Sequence, residues 1–189
     1  MTSVRLFRGQ DLRAHFPDLR SVYVDAFCAP PWHEGEEQAV EFVGRLSDNV
    51  RRPGFTAAVA FEGSQVVGFA IGWTTLAPFP TDRCYPQASA GLGIERTVDW
   101  LCGAREIDEL AVRPATQGTG LAADLLTAVS ADVPDGRSWL MTSVESSRAM
   151  SFYRRQGWIQ ATHPSPEGKG MVVFLGPHHP ARALAAQPL

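Results

Sequence analysis

The sequence predicts a mixed α/β layer, and three observations carry that prediction. Segments of period-2 and period-3.6 hydrophobicity alternate along the chain. Two apolar runs, Phe55–Phe61 and Val66–Trp73, flank a Glu62-Gly63-Ser64 turn, which is a β-hairpin signal. A strand pattern at Glu106–Val112 leads through a glycine-bearing stretch, "VRPATQGTGLAADLL" (112–126), straight into a helical pattern.

Val4 to Arg8 reads as a short edge strand. Pro17 suits a first helical turn, and Leu19, Val22, Tyr23, Ala26 and Phe27 follow at helical spacing. "APPW" (29–32) stops that helix. A second is expected over Glu36–Asn49, with Val40, Val43 and Leu46 on its apolar face and Pro53-Gly54 closing it. After the hairpin, "TTLAPFPTDRCYPQASAGLG" (74–93) is broken by prolines and expected to be irregular. A connection that long in a compact domain is usually functional or disordered. Glu95–Leu101 is a short helix candidate. Leu121–Ala131 is helical, Trp139–Val144 a strand and Ser147–Gln156 a helix, with Gly157 placed for a left-handed cap. Trp158–Thr162 and Met171–Leu175 close the layer as an antiparallel pair, which makes residues 1–176 one domain and 177–189 a loose tail.

The 189 residues suffice for one good-sized domain. A net charge of −3 without a Lys/Arg cluster argues against nucleic acid. No apolar run approaches membrane-spanning length, and the start, Met1–Gly9, is too polar for a signal peptide, so a cytoplasmic protein is expected. Cys28, Cys84 and Cys102 are odd in number and widely spaced. That fits reduced thiols and no metal site. Cys84 or Cys102 as a nucleophile competes with a plain packing role.

A helix start leaves backbone N–H groups unpaired and partly positive. Gly118 and Gly120 let backbone approach a phosphate where a side chain would collide. A plain strand-to-helix turn is the alternative. A nucleoside-triphosphate loop fails, because Leu121-Ala122 stands where Lys-Ser/Thr is needed. "GTGLAA" (118–123) fits a dinucleotide fingerprint, and Glu145 lies near the place of a ribose-binding acid. Against that oxidoreductase reading, Arg113–Gln117 separate strand from glycine, and too little chain follows Glu145 for a doubly wound sheet.

Two motifs together resemble the GCN5-related N-acetyltransferase (GNAT) superfamily. Gln117, Gly120 and Ala122 fill its acyl-CoA loop pattern, Q/R-x-x-G-x-G/A. In "SSRAMSFYRRQGW" (146–158), Ala149, Phe152, Tyr153, Gly157 and Trp158 match its second signature, with Ser146 where Asn is usual. The resemblance spans residues 3 to 176. It implies a GNAT-like, mostly antiparallel sheet with a central splayed parallel strand pair and helices on both faces. It further implies acetyl-CoA as acyl donor, its pantetheine arm on the backbone of Leu110, Ala111 and Val112. The diphosphate would lie on Gln117, Gly118, Thr119, Gly120, Leu121 and Ala122, with Ser146 beside the cofactor.

Acetyl transfer to an amine needs a base, oxyanion donors and an acid for the thiolate. Glu109 is the candidate base, directly or through water; alternation groups it with Ile107 and Ala111. Its rival role is to bind the acceptor's charge. Asp108 and Glu106 are weaker candidates, and the Ala111 N–H could serve the oxyanion. By the resemblance, Tyr153 is the general acid; its rival role is packing. The loop "CAPPWHE" (28–34), the hairpin end and the stretch near Phe79–Tyr85 are expected to border the acceptor, with Trp32, Trp73 and Tyr85 as lining candidates. His33 as a base and Glu34, Glu36 and Glu37 as cation attractors compete with simple solvation. The acceptor is a small-molecule or peptide amine of open identity. The family also implies a homodimer. An acyl-CoA-binding sensor or interaction domain without transfer is the rival function.

Overall fold

Two near-continuous apolar runs within residues 56–74 form strands buried on both faces, and the rest of the fold is laid on them. The computed structural model describes residues 2–28, 30 and 32–185. Seven strands form one mixed sheet: β1 (Thr2–Arg8), β2 (Thr56–Glu62), β3 (Gln65–Thr74), β4 (Arg105–Val112), β5 (Ser138–Ser143), β6 (Ile159–Gln160) and β7 (Met171–Leu175). Their order is β1-β2-β3-β4-β5-β7-β6, with β1 on an edge as expected. The helices are α1 (Phe16–Phe27), α2 (Glu36–Asn49), α3 (Tyr85–Leu92), α4 (Ile94–Arg96), α5 (Leu121–Val129), α6 (Ser147–Arg155) and α7 (Arg182–Ala185). The chain divides into two units, residues 1–73 with 108–131, and residues 74–107 with 132–189.

In the first unit, β1 and β3 flank β2 antiparallel, with Val4 opposite Ala60 and Ala58 opposite Ala70. Val59, Phe61, Phe69, Ile71 and Trp73 share one buried cluster with Leu19, Val22 and Tyr23 of α1 and Ala39, Phe42 and Leu46 of α2. Each fully buried Val, Leu, Ile or Phe among them stabilises by roughly 1.5–3 kcal/mol. Val40 does not join them: it is 58% exposed. The face of α2 runs instead through Ala39, Phe42 and Leu46, with Val43 packed at its margin. Helix α5 covers the opposite face. There Gly68 permits a close approach, since a Cβ would lie 2.9 Å from Val112 Cγ1 and 3.0 Å from the Ala111 carbonyl oxygen.

In the second unit, the start of β4 pairs parallel with β5, Arg105–Ile107 against Ser138–Leu140. Antiparallel β7 pairs with β5 from Trp139↔Leu175 to Ser143↔Met171, and β6 adds to β7. β4 and β5 are the parallel pair among otherwise antiparallel neighbours, and after β5 the chain adds antiparallel strands. That excludes the doubly wound sheet of the dinucleotide reading.

Two expectations change here. Residues 85–92 of the segment read as irregular form α3, whose Tyr85, Ala88 and Leu92 are buried at helical spacing. A π turn over Thr97–Leu101 follows α4. The tail is folded as far as residue 185. His179 is buried; its Nε2 lies 3.0 Å from the Trp100 carbonyl oxygen, and its Nδ1 accepts from the Ala181 amide at 3.1 Å. Ala181 and Ala185 join the core of this unit. Residues 186–189 lie outside the described residues.

Candidate functional site

The loop after β4 is fastened before it turns. The Arg113 amide donates to the Val67 carbonyl at 2.9 Å, and its Nε to the Val66 carbonyl at 3.0 Å. Its guanidinium also pairs with Asp25 and donates to Ser21 Oγ at 3.0 Å, both on α1. Pro114–Thr116 form a 3₁₀ turn, and Thr116 Oγ1 donates back to the Arg113 carbonyl at 3.0 Å. Thr119 Oγ1 donates to the Thr116 carbonyl at 2.8 Å.

Gly118 (φ +80°) and Gly120 (φ +92°) then take the left-handed conformation that side chains disfavour. A Cβ at either would meet no atom within 4 Å, so these glycines serve backbone conformation and access rather than packing. Gly120 caps α5 without a side-chain hydrogen bond. The Gly120 carbonyl receives the amides of Ala123 at 2.9 Å and Asp124 at 3.2 Å. The amides of Gly118–Ala122 therefore precede the helical ladder, on a surface where Gln117–Gly120 are exposed. Leu121 is buried and Ala122 half-buried, which anchors the first turn of α5.

On β4, Ala111 is buried in the α1–α2 cluster while Leu110 and Val112 are half-buried. Alternation puts Glu109 on the Ala111 face. There Arg45 of α2 brings Nη2 to 3.8 Å from Glu109 Oε1. Tyr23 of α1 donates its hydroxyl to Glu34, and its ring stacks on Phe42 at 4.4 Å. Burial first, then the Glu109 and Glu34 carboxylates, push the Tyr23 phenol far above its ordinary 10 and keep it protonated. Arg113, Arg45, Tyr23 and Glu34 thus surround the predicted loop and carboxylate. Glu34 is a hydrogen-bond partner of Tyr23, a role that neither cation attraction nor simple solvation anticipates. No local pattern marks these partners, because Arg113 and Asp25 are 88 residues apart.

In the second unit, Ser146 is buried at the start of α6 and its carbonyl receives the Met150 amide at 2.9 Å. Tyr153 lies half-buried on the same helix, its ring 5.9 Å from Phe174 and 6.2 Å from Trp158. Gly157 has φ +78°, the expected left-handed cap. Glu106 is buried and accepts from Tyr85 Oη at 2.7 Å, which makes it a structural carboxylate rather than an exposed base.

The acceptor-lining expectations need correction at two positions. Trp73 is fully buried, with the Arg52 guanidinium 4.7 Å from its ring centroid. Tyr85 is fully buried beside Phe79 and Trp139. Both are core residues, because each closes the end of an apolar element. Trp32 is half-buried, 6.0 Å edge-on to Phe27. Ala29 and Pro31 of the same loop lie outside the described residues. His33 is exposed. Burial pushes the Cys102 thiol upward, away from a reactive thiolate, although Arg137 pulls the other way. Among the described residues no group of His, Cys, Asp and Glu could hold a metal, and no helix is long and apolar enough to cross a membrane.

Comparison with known proteins agrees with this geometry. The acetyltransferase (GNAT) domain family matches residues 97–174, which include β4, the glycine loop and α6. No curated protein matches the sequence. A Corynebacterium glutamicum structure described as histone acetyltransferase HPA2 and related acetyltransferase superposes with a TM-score of 0.62 at 17% identity, covering 93% of this chain and 97% of that one. The ribosomal-protein-S18-alanine N-acetyltransferase of Escherichia coli gives 0.60 at 15% identity, covering 94% of each. The PaiA N-acetyltransferase of Thermoplasma acidophilum, solved in complex with coenzyme A, gives 0.55 at 13% identity, covering 93% of this chain and 98% of that one. The chain has a GNAT-like fold, and its residues 97–174 match the acetyltransferase (GNAT) domain family.

Proposed function

We propose that the protein is an N-acetyltransferase that moves an acetyl group directly from acetyl-CoA to a primary amine. The observation that carries this reading is the loop Gln117–Ala122: two left-handed glycines in open space at a helix start without a side-chain cap, where the amides of Gly118–Ala122 precede the helical ladder. Such amides suit a diphosphate and demand few side-chain types. The backbone of Leu110, Ala111 and Val112 would hold the pantetheine arm, with Ser146 beside the cofactor.

The amine nitrogen attacks the thioester carbonyl carbon, the C–S bond breaks, and the acetyl group leaves as an amide. Glu109 takes the amine's proton, directly or through water. The Ala111 amide donates to the oxyanion. Tyr153 returns a proton to the departing coenzyme A thiolate. The acceptor is a small-molecule or peptide amine, and Trp32 is the lining candidate that stays accessible. Three cysteines, all free, and the lack of a membrane-spanning helix among the described residues support a cytoplasmic setting. The family resemblance supports a homodimer, which sedimentation velocity tests.

Release of free coenzyme A thiol, followed against a panel of primary amines, tests the activity. At least one amine should drive release above the rate of hydrolysis. Acetyl-CoA that raises the melting temperature yet supports no turnover with any amine class would instead favour a binding domain without transfer.

A further inference from the structure

The second unit contains a cavity of about 580 Å³ that takes no part in the chemistry above. One wall is a face of α3, and the other is the segment from Ala161 to Glu167. Small side chains make the room: Ala90 and Gly91 on α3 and Ala161 opposite. Gly91 sets the spacing, because a Cβ there would lie 2.9 Å from Thr162 Cγ2. The α3 wall is fixed from behind by the buried Tyr85–Glu106 hydrogen bond. The loop wall is fixed by Ser165, whose Oγ accepts the Met171 amide at 3.1 Å and donates to the Glu167 carbonyl at 2.8 Å. A cavity held this way is formed before a ligand arrives, which lowers the cost of ordering it.

Its charges are one of each sign. Arg96, the last residue of α4, supplies a guanidinium, 5.2 Å from the Trp100 ring centroid, and Glu167 supplies a carboxylate from the Ala161–Glu167 wall. Gln87 and His163 add polar groups. A polycation would meet Arg96 and a polyanion would meet Glu167, whereas a small dipolar ion satisfies both. Three prolines, Pro86, Pro164 and Pro166, give apolar surface for a side chain.

We infer that this cavity is a binding site for a small zwitterion of the amino acid or dipeptide class, its carboxylate toward Arg96 and its ammonium toward Glu167. The site stands on its own lining and does not depend on the transfer reaction. Saturation-transfer NMR on the full chain, with single amino acids and glycyl dipeptides as probes, tests it. At least one zwitterion should bind with a Kd below about 1 mM. Its amidated and N-acetylated analogues, each lacking one charge, should bind roughly tenfold or more weakly. Arg96→Gln should erase the preference for a free carboxylate, and Glu167→Gln the preference for a free ammonium. Ala90→Phe should block binding while leaving the thermal shift by acetyl-CoA intact, which separates this site from the cofactor loop. Equal binding of zwitterion and analogues, unchanged binding to Ala90→Phe, or no binding at 10 mM, roughly tenfold above that limit, would overturn the assignment.

Discussion

Arg45 reaches across from α2 to within 3.8 Å of the Glu109 carboxylate on β4, whose side chain is only 16% exposed. The same guanidinium lies 3.9 Å from Glu41. Glu109 therefore sits in a shielded place with a cation beside it and the Tyr23 phenol close enough to feel its charge. Glu109→Gln keeps the shape and removes both basicity and charge. It is expected to lower kcat by about 10²–10⁴-fold with KM little changed, as for loss of a general base. Steady-state kinetics across pH measure this. A raised KM at constant kcat would assign Glu109 to binding the acceptor's ammonium.

Tyr153→Phe removes the proposed proton donor and leaves the ring packed on Phe174 and Trp158. Turnover should fall by about 10²–10⁴-fold while acetyl-CoA affinity stays within a few-fold. A pH–rate profile of the variant should lose its alkaline limb. An unchanged profile would leave Tyr153 as a packing aromatic.

Gly120→Trp places a bulky side chain at φ +92°, in the space offered to the diphosphate. Wild-type protein at a hundredfold excess of acetyl-CoA over Kd should gain about 2.7 kcal/mol. The variant should gain none, as read by differential scanning fluorimetry. A retained shift would place the cofactor elsewhere.

Arg113→Met cuts the links from the loop to Asp25, Ser21 and Val66 while keeping the aliphatic stem. Urea denaturation should show a loss of about 1–3 kcal/mol. Acetyl-CoA binding should weaken as well, because the loop loses its tie to α1. Asp25→Asn should give a milder form of both effects.

His179 gives a pH dependence of known sign. Its Nδ1 accepts the Ala181 amide, so the neutral ring carries its proton on Nε2 and donates to the Trp100 carbonyl. Burial pushes its pKa below the ordinary 6.5, with Arg137 and Arg182 adding to the effect and the Trp100 hydrogen bond opposing it. The unfolded chain therefore binds a proton more readily than the folded one. The folded state keeps its full His179 contribution above about pH 6.5 and loses stability as pH falls below it. Melting temperatures from pH 7.5 to pH 5 should fall more steeply for wild type than for His179→Gln. Parallel slopes would remove the role.

Strands were legible where burial on both faces left a continuous apolar run between turn residues: β2 and β3 end within a residue or two of the runs that announced them, and β4 does so for its strand pattern. Helix α3 was hidden by the prolines of its segment, Pro78, Pro80 and Pro86, yet Pro86 occupies the first helical turn, where a missing N–H costs nothing. Val40 misled because an apolar residue on an amphipathic helix can face solvent when Ala39 and Phe42 fill the groove. The glycine loop could be read because its requirement is conformational and belongs to single residues. The partners of Glu109 could not, because Arg45 and Tyr23 arrive from other helices and their meeting depends on tertiary packing.

Gly68 carries a final consequence. It lies in the middle of β3, more than 40 residues from the cofactor loop, yet its missing methyl fixes how near α5 and β4 can come. Any side chain there would push on Leu125 and on the Ala111 carbonyl at once, and so tilt the helix whose first amides are offered to the ligand. A hydrogen-to-methyl change in the hairpin should therefore surface as a defect in coenzyme affinity, and a screen would register it as a binding mutant although no atom of that residue borders the loop.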